Sequence, residues 1–227
     1  MKKQHWVLLF MAVLAADLLL IYFGKDTLRY LSKSLLLIVL GSYFFTAVRA
    51  SGSKLTKWII LALVFSWLGD VLLMFEQQDT RFFMAGLVAF LVAHFFYITF
   101  FSTIQREESS KRQVMLGVIA VVWYFILMKL IQPAKLGDLS VPVRIYGAVI
   151  MIMLWMALQM LYINNKWAGW FMVAGAILFV VSDSTLAINK FYQSFNHAGV
   201  AVMLTYGLAQ LCLVEGAVRY ILVPKEK

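Results

Sequence analysis

Charged residues are scarce in this sequence of 227 residues: they make up 14% of it, whereas about a quarter is usual in a soluble domain. Hydrophobic residues make up 63% of the chain, which is more apolar surface than a globular interior of this size can bury. The excess must face lipid. The composition therefore excludes a soluble protein and predicts an integral membrane protein.

Cysteine is nearly absent, because Cys212 is the only one. A single cysteine excludes an internal disulfide and a CxxC metal site. Histidine occurs only three times, at dispersed positions, and the HExxH, GxSxG and P-loop motifs are missing. We therefore expect no cofactor and no metal, although a metal stays open at His197 and Asp183, which can approach each other at the ends of two spans.

Acidic residues are in the minority: 20 Lys and Arg stand against 11 Asp and Glu, for a net charge of +9. The basic residues form short clusters between apolar runs rather than a continuous stripe or arm. This pattern favours positively charged loops at a membrane surface over a nucleic-acid interface. We expect membrane lipids around the chain and no nucleic-acid partner.

Long apolar runs are what the sequence has in abundance. Crossing a bilayer takes about 20 apolar residues, and eight runs come near this length: 6–23, 28–48, 56–75, 82–104, 114–131, 142–162, 168–188 and 197–220. The short connections make neighbouring spans antiparallel. We predict an all-α integral membrane protein with eight transmembrane helices in one domain, 1–227. The first run resembles a signal peptide, but it continues past Asp17 and further spans follow at once, so we interpret it as an uncleaved helix.

The distribution of Lys and Arg predicts the orientation. Eight spans put both termini on one side, which collects twelve of the basic residues against eight on the other. This bias predicts that both termini are cytoplasmic. The twelve are Lys2, Lys3, Arg49, Lys54, Lys57, Arg106, Lys111, Arg112, Lys166, Arg219, Lys225 and Lys227; the eight are Lys25, Arg29, Lys33, Arg81, Lys129, Lys135, Arg144 and Lys190.

A short internal repeat suggests a duplication. "GDVLL" at 69–73 and "SDSTL" at 182–186 share a small residue, an aspartate and a leucine at the same spacing. The two aspartates are 183 − 70 = 113 residues apart, which is about half the chain. We therefore expect two parallel four-helix repeats, 1–113 and 114–227.

Several charged residues fall inside the spans at comparable depth: Asp17, Lys33, Asp70, Arg144 and Asp183, with His94 near the middle of the fourth span. The 113-residue offset maps Lys33 to position 146, two places from Arg144. Charged groups in hydrocarbon face the interior of a bundle and pair with each other. We expect one polar cavity that opens towards the outer face.

Structural interpretations of the same residues remain open. Lys33 and Arg144 lie near span ends and can snorkel to the headgroups. Asp17 can serve as a hydrogen-bonding residue between helices, and His94 as a satisfied core residue. Asp70 and Asp183 can form purely structural ion pairs with the two cations.

Four motifs, in order on spans 3, 4, 7 and 8, carry a family resemblance: "SWLGDVLLMF", "GLVAFLVAHFFYITF", "VSDSTLAINKF" and "TYGLAQ". They make most of the chain resemble the YhhN family, the TMEM86-like lysoplasmalogenases. The resemblance implies an eight-helix membrane bundle, and we expect it to lie in a bacterial cytoplasmic (inner) membrane. It also implies hydrolysis of the vinyl ether bond of lysoplasmalogens, which yields a fatty aldehyde and a glycerophospho-alcohol.

The resemblance also implies site residues. The GD motif falls on Gly69 and Asp70, the AH motif on Ala93 and His94, and the SD motif on Ser182 and Asp183. Asp70, Asp183 and His94 are the expected catalytic residues; Lys33, Tyr97, Arg144, Ser182 and Tyr206 are the expected substrate-binding residues. The chain departs from the family in the second span, where Ser34 follows Lys33 in place of proline.

The chemistry suits two buried carboxyl groups. Vinyl ether hydrolysis begins with protonation of an alkene carbon and passes through an oxocarbenium ion, as glycoside hydrolysis does. A desolvated pair of aspartates can share one proton, so that Asp70 and Asp183 divide the roles of acid and base. Lys33 and Arg144 would hold the phosphate of a lysophospholipid. A transporter of small molecules or lipids is the rival hypothesis, because repeats and buried charges are typical of transporters too; a lipid-binding scaffold without turnover is the third.

Overall fold

The computed structural model describes residues 3–109, 112–131 and 136–222. Eight α-helices fill most of these ranges, two short 3-10 helices flank the sixth, and no strand occurs within them. The helices are α1 (Lys3–Tyr22), α2 (Asp26–Val48), α3 (Thr56–Leu73), α4 (Thr80–Glu107), α5 (Met115–Leu130), α6 (Ser140–Leu158), α7 (Lys166–Phe191) and α8 (Ala198–Leu222). The prediction of an all-α protein with eight helices is confirmed.

Five basic residues of the orientation count lie outside the described residues: Lys2, Lys111, Lys135, Lys225 and Lys227.

Seven of these helices are long and apolar enough to cross a membrane, α6 together with its flanking 3-10 turns, so the chain is a multi-pass membrane protein. The exception is α5, which is equally apolar but has only 16 residues. It lies at the edge of the bundle and packs mainly on α6. Ala120 is its one buried residue, whereas side chains such as Phe125 point outward.

Polar side chains define where two of the long helices begin. Asp79 caps α4 by accepting a hydrogen bond from the backbone N–H of Arg81 at 2.8 Å. Asn165 caps α7 in the same way, with the N–H of Ala168 at 3.1 Å. Such caps satisfy N–H groups that lack partners in the first helical turn.

The closest helix packing is found in two hairpins, α3 with α4 and α7 with α8. Small residues permit the backbones to approach. At Gly216 of α8, a Cβ atom would lie 2.9 Å from the backbone N of Met172 and 3.0 Å from the carbonyl O of Ala168, both on α7. Any side chain at position 216 would therefore push the two helices apart.

Replacement of Gly216 by alanine should destabilise the fold by about 1–3 kcal/mol, because the added methyl group meets backbone atoms that cannot move aside. The measurement is the thermal unfolding midpoint of the purified protein in detergent. Gly41→Ala on α2 is the matched control, because nothing lies within 4 Å of a Cβ built there. Equal midpoints for the two variants would contradict the close packing of α7 on α8.

Candidate active site

A cavity of about 360 Å³ lies between helices α2 to α8. It occupies the end of the bundle at which α2, α4, α6 and α8 begin and at which α3, α5 and α7 end. Asp70 and Asp183 both line it, together with Lys33. Three of the predicted site residues, from three different helices, therefore meet in one polar cavity.

Asp70 belongs to the buried face of α3. The buried residues of this helix follow the helical period, with Ser66, Gly69 and Asp70 in its last turns. Lys33 Nζ of α2 lies 3.3 Å from Asp70 Oδ1, and Tyr206 of α8 donates a hydrogen bond of 2.6 Å to Oδ2. With only 2% of Asp70 exposed, both carboxylate oxygens have a partner.

Asp183 lies on α7 and lines the same cavity. Tyr146 of α6 donates a hydrogen bond of 2.7 Å to its Oδ2. Tyr146 is a site residue that the sequence analysis missed, although a signal for it existed. The offset of 113 residues, which relates Asp70 to Asp183, also relates Lys33 to Tyr146 (146 − 33 = 113). Each aspartate thus has a partner in its own half, and the two partners stand at corresponding positions of the two halves.

A chain of hydrogen bonds between α4 and α8 holds the tyrosine that binds Asp70. Tyr97 of α4 donates to Gln210 Oε1 at 2.6 Å, and Gln210 Nε2 lies 3.4 Å from the Tyr206 hydroxyl, which in turn binds Asp70. Tyr97 is fully buried and is absent from the cavity lining. Its contacts orient Tyr206 rather than a molecule in the cavity.

His94 is fully buried on α4, and its ring does not line the cavity. Its Nδ1 lies 2.6 Å from the carbonyl oxygen of Phe90, and Nε2 has no hydrogen-bond partner among the described residues. The ring packs edge-on against Tyr146, with 5.6 Å between the centroids. His94 therefore contacts the partner of Asp183 and not the cavity.

The structure does not bring Arg144 to the cavity. Its side chain is exposed on α6, two residues before Tyr146. Residues two apart on a helix point to nearly opposite sides, so only one of the two can face the interior. Ser182 does line the cavity, and its hydroxyl donates to the carbonyl oxygen of Val202 at 3.0 Å, which ties α7 to α8.

The second cation of the lining is Arg29, one turn before Lys33 on α2. Its Nε lies 3.9 Å from Oδ1 of Asp17, which is fully buried on α1 and also accepts a 2.6 Å hydrogen bond from Ser32. Asp17 thus connects α1 to α2, as the hydrogen-bonding interpretation predicted. The spacing of Arg29 and Lys33, four residues apart, was a signal for this pair that the sequence analysis did not use.

No three His, Cys, Asp or Glu side chains within the described ranges cluster in a way that could hold a metal ion. The site offers carboxylates, cations and hydroxyl groups instead. These groups can transfer protons and bind an anion.

Comparison with known proteins gives one family. The YhhN family matches residues 28–217. The human proteins named lysoplasmalogenase TMEM86A and TMEM86B are 30% and 31% identical over 70% and 77% of this chain, which correspond to 65% and 70% of their own lengths. A lysoplasmalogenase of Mycobacterium tuberculosis is 27% identical over 70% of this chain and 60% of its own length. The chain thus spans less than two thirds of TMEM86A and of the mycobacterial protein, and no solved structure matches it.

Removal of the positive charge of Lys33 beside Asp70 should lower the stability of the fold. Lys33→Met leaves a buried carboxylate without its charged partner, for which about 3–5 kcal/mol of lost stability is expected. The measurement is the thermal unfolding midpoint in detergent, and Lys33→Met/Asp70→Asn should recover most of the loss because it removes both charges.

The matched control for this prediction is Lys190→Met. It breaks the ion pair of Lys190 with Glu76, which has the shorter N–O distance of 2.8 Å but about 30% exposure of both side chains. An exposed pair contributes only about 0–1 kcal/mol. A loss for Lys33→Met no larger than that for Lys190→Met would contradict the buried ion pair.

Proposed function

This chain belongs to the YhhN family, and we propose that it is a membrane-embedded lysoplasmalogenase. It hydrolyses the vinyl ether bond of a lysoplasmalogen or a related lysophospholipid and releases a fatty aldehyde and a glycerophospho-alcohol. The observation that carries this proposal is that Asp70 and Asp183, from different helices, line one cavity with different partners. Two carboxyl groups in unlike surroundings are what acid and base catalysis at one site requires.

The reaction needs a proton donor and a group that activates water. A carboxylic acid gives its proton to the alkene carbon that does not carry oxygen, and the neighbouring carbon becomes an oxocarbenium ion. Water then adds to that carbon while a carboxylate accepts one of its protons. The hemiacetal then breaks its bond to the glycerol oxygen: the carboxyl group that took a proton from water gives it to that oxygen, and the hemiacetal hydroxyl gives its proton to the carboxylate that had protonated the alkene. Both carboxyl groups thus return to their starting states, and the aldehyde is released.

The partners of the two aspartates support an assignment of these roles. Lys33 lies 3.3 Å from Asp70, and a positively charged neighbour stabilises a carboxylate. Asp183 receives its hydrogen bond from the neutral hydroxyl of Tyr146 and has no ion pair in the described residues. We therefore assign Asp183 as the acid, with the proton on Oδ1, and Asp70 as the carboxylate that stabilises the cation and activates water.

The phosphate of the substrate binds at the mouth of the cavity, by which we mean the end at which α2, α4, α6 and α8 begin. Arg29 and Lys33 lie one helical turn apart on α2, and both line the cavity. Guanidinium and ammonium groups are the usual ligands of phosphate in proteins. Arg29 takes the role that the sequence analysis gave to Arg144, because Arg144 is exposed outside the lining.

The remaining predicted residues act as positioning residues. Tyr97 holds Tyr206 through Gln210, and Tyr206 holds Asp70. Ser182 fixes α7 against α8 beside Asp183. His94 packs on Tyr146 and so orients the hydroxyl that binds Asp183.

We also propose that the chain lies in the bacterial cytoplasmic membrane with both termini in the cytoplasm. The excess of Lys and Arg on the side of the termini supports this orientation. The mouth of the cavity then opens at the outer face, where α2, α4, α6 and α8 begin. The correspondence of Lys33–Asp70 with Tyr146–Asp183 supports an origin of the two halves, 1–113 and 114–227, by duplication.

The decisive experiment measures aldehyde released from a lysoplasmalogen by the purified protein in detergent. Asp70→Asn and Asp183→Asn should each lower the rate by at least about a hundredfold, because each removes one of the two proton-transferring groups. Asp138→Asn, at an exposed position outside the cavity, is the control with the same chemical change. Turnover without a membrane gradient separates an enzyme from a transporter, and full activity of either cavity variant would refute the paired-aspartate mechanism.

Tyr146→Phe should lower kcat about tenfold or more, since a hydrogen bond to a group that changes charge is worth about 1.5–3 kcal/mol. KM should change much less, because Tyr146 contacts Asp183 and not the phosphate. Tyr162→Phe, on an exposed tyrosine in the 3-10 turn after α6, serves as control. A wild-type rate for Tyr146→Phe would remove this residue from the mechanism.

A further inference from the structure

Beyond the two aspartates, the cavity continues between α5, α6 and α7 as an apolar arm. We define this arm by Ala120 of α5, Ile150 and Leu154 of α6, and Val180 of α7, all of which line the cavity. Each is buried in the bundle, with at most 8% of its surface exposed. The arm thus offers only apolar side chains, in contrast to the charged mouth.

Hydrogen bonds between the helices fix the depth of the arm. Tyr146 and Asp183 are bonded and therefore lie at the same level. Ile150 and Leu154 follow Tyr146 by one and two turns along α6, away from the mouth. Eight residues separate Tyr146 from Leu154, which corresponds to about 12 Å of helix.

The positions of Val180 on α7 and Ala120 on α5 are consistent with this depth of the arm. Val180 precedes Asp183 by three residues on α7, which runs towards the mouth, so Val180 lies one turn deeper. Trp123 of α5 donates a hydrogen bond of 3.2 Å to Ser184, next to Asp183. Ala120 precedes Trp123 by three residues and also lies one turn deeper.

We infer that the apolar arm binds the hydrocarbon part of the substrate's alkenyl chain and that the small side chain of Ala120 admits chains that extend past its level, an inference that rests on the proposed function. From the mouth inward, the cavity is lined first by cations, then by carboxylates and then by apolar side chains. A lysoplasmalogen presents phosphate, then vinyl ether, then hydrocarbon in the same order. Burial of the chain against the arm supplies its binding energy.

Ala120 has the smallest side chain of the four, and it is the only residue with which α5 enters the buried interior. A larger side chain at this position would project into the arm at a level one turn beyond Asp183. Long chains, which extend past this level, would clash, whereas short chains would still reach the carboxylates. One methylene group in such a pocket changes kcat/KM by roughly 10–200-fold.

The test compares butenyl and octadecenyl lysoplasmalogens as substrates of the protein in detergent, because a butenyl chain ends near the level of Ala120 whereas an octadecenyl chain extends well past it. Ala120→Leu should lower the ratio of kcat/KM for the long chain to that for the short chain by about tenfold or more. Leu154→Ala, which lengthens the arm, should raise this ratio. Ile119→Phe is the matched control: it adds a group of similar size at the neighbouring position, whose side chain is 57% exposed and lies outside the cavity lining.

Binding of saturated alkyl ether lysophospholipids of the same two lengths, measured by the thermal stabilisation of the protein, repeats the comparison without turnover. An Ala120→Leu variant that keeps the wild-type preference for chain length in both assays overturns the inference, even if the wild type releases aldehyde. Absence of aldehyde from the wild type contradicts the proposed function instead, and the binding series then still decides whether the arm holds the chain.

Discussion

The constraint on which this structure depends is the presence of a carboxylate inside an apolar helix bundle. Asp70 is 2% exposed, and a charge so placed is stable only with a partner. Lys33 supplies the opposite charge and Tyr206 a hydrogen bond, so one aspartate draws α2, α3 and α8 to a common point. The polar cavity lies where these three helices converge, and α4 to α7 form its other walls.

The second aspartate satisfies the same constraint in a different way. Asp183 has a tyrosine at the position that corresponds to Lys33, and thus a neutral partner in place of a cation. This replacement makes the two carboxyl groups unlike, and so does the hydrogen bond that Asp70 accepts from Tyr206, for which Asp183 has no counterpart among the described residues. In our proposal this difference is what allows one aspartate to hold a proton and the other a negative charge. Tyr97 keeps Tyr206 in place beside Asp70 through Gln210, and His94 packs on Tyr146 beside Asp183.

The hydrophobic pattern of the sequence, together with the depth of the charged residues inside the predicted spans, predicted much of this arrangement. Hydrophobic runs of about 20 residues give the helices, because bilayer thickness fixes their length. Asp70, Asp183 and Lys33 followed from charge inside those runs, since lone charges in hydrocarbon are rare. Arg144 and Tyr146 show the limit: both lie at the right depth, but a sequence position says nothing about which of two neighbouring faces the packing turns inward.

The sequence by itself determined that the chain spans a membrane, how many helices it forms and which end of the bundle collects the charges. These properties depend on local composition and on the period of the helix. Only the tertiary structure decided that Tyr146 and not Arg144 meets Asp183, that Arg29 reaches the cavity, and that an apolar arm extends past the carboxylates. Those facts depend on how each helix is rotated about its axis, which the close packing of α3 on α4 and of α7 on α8 sets across residues far apart in the chain.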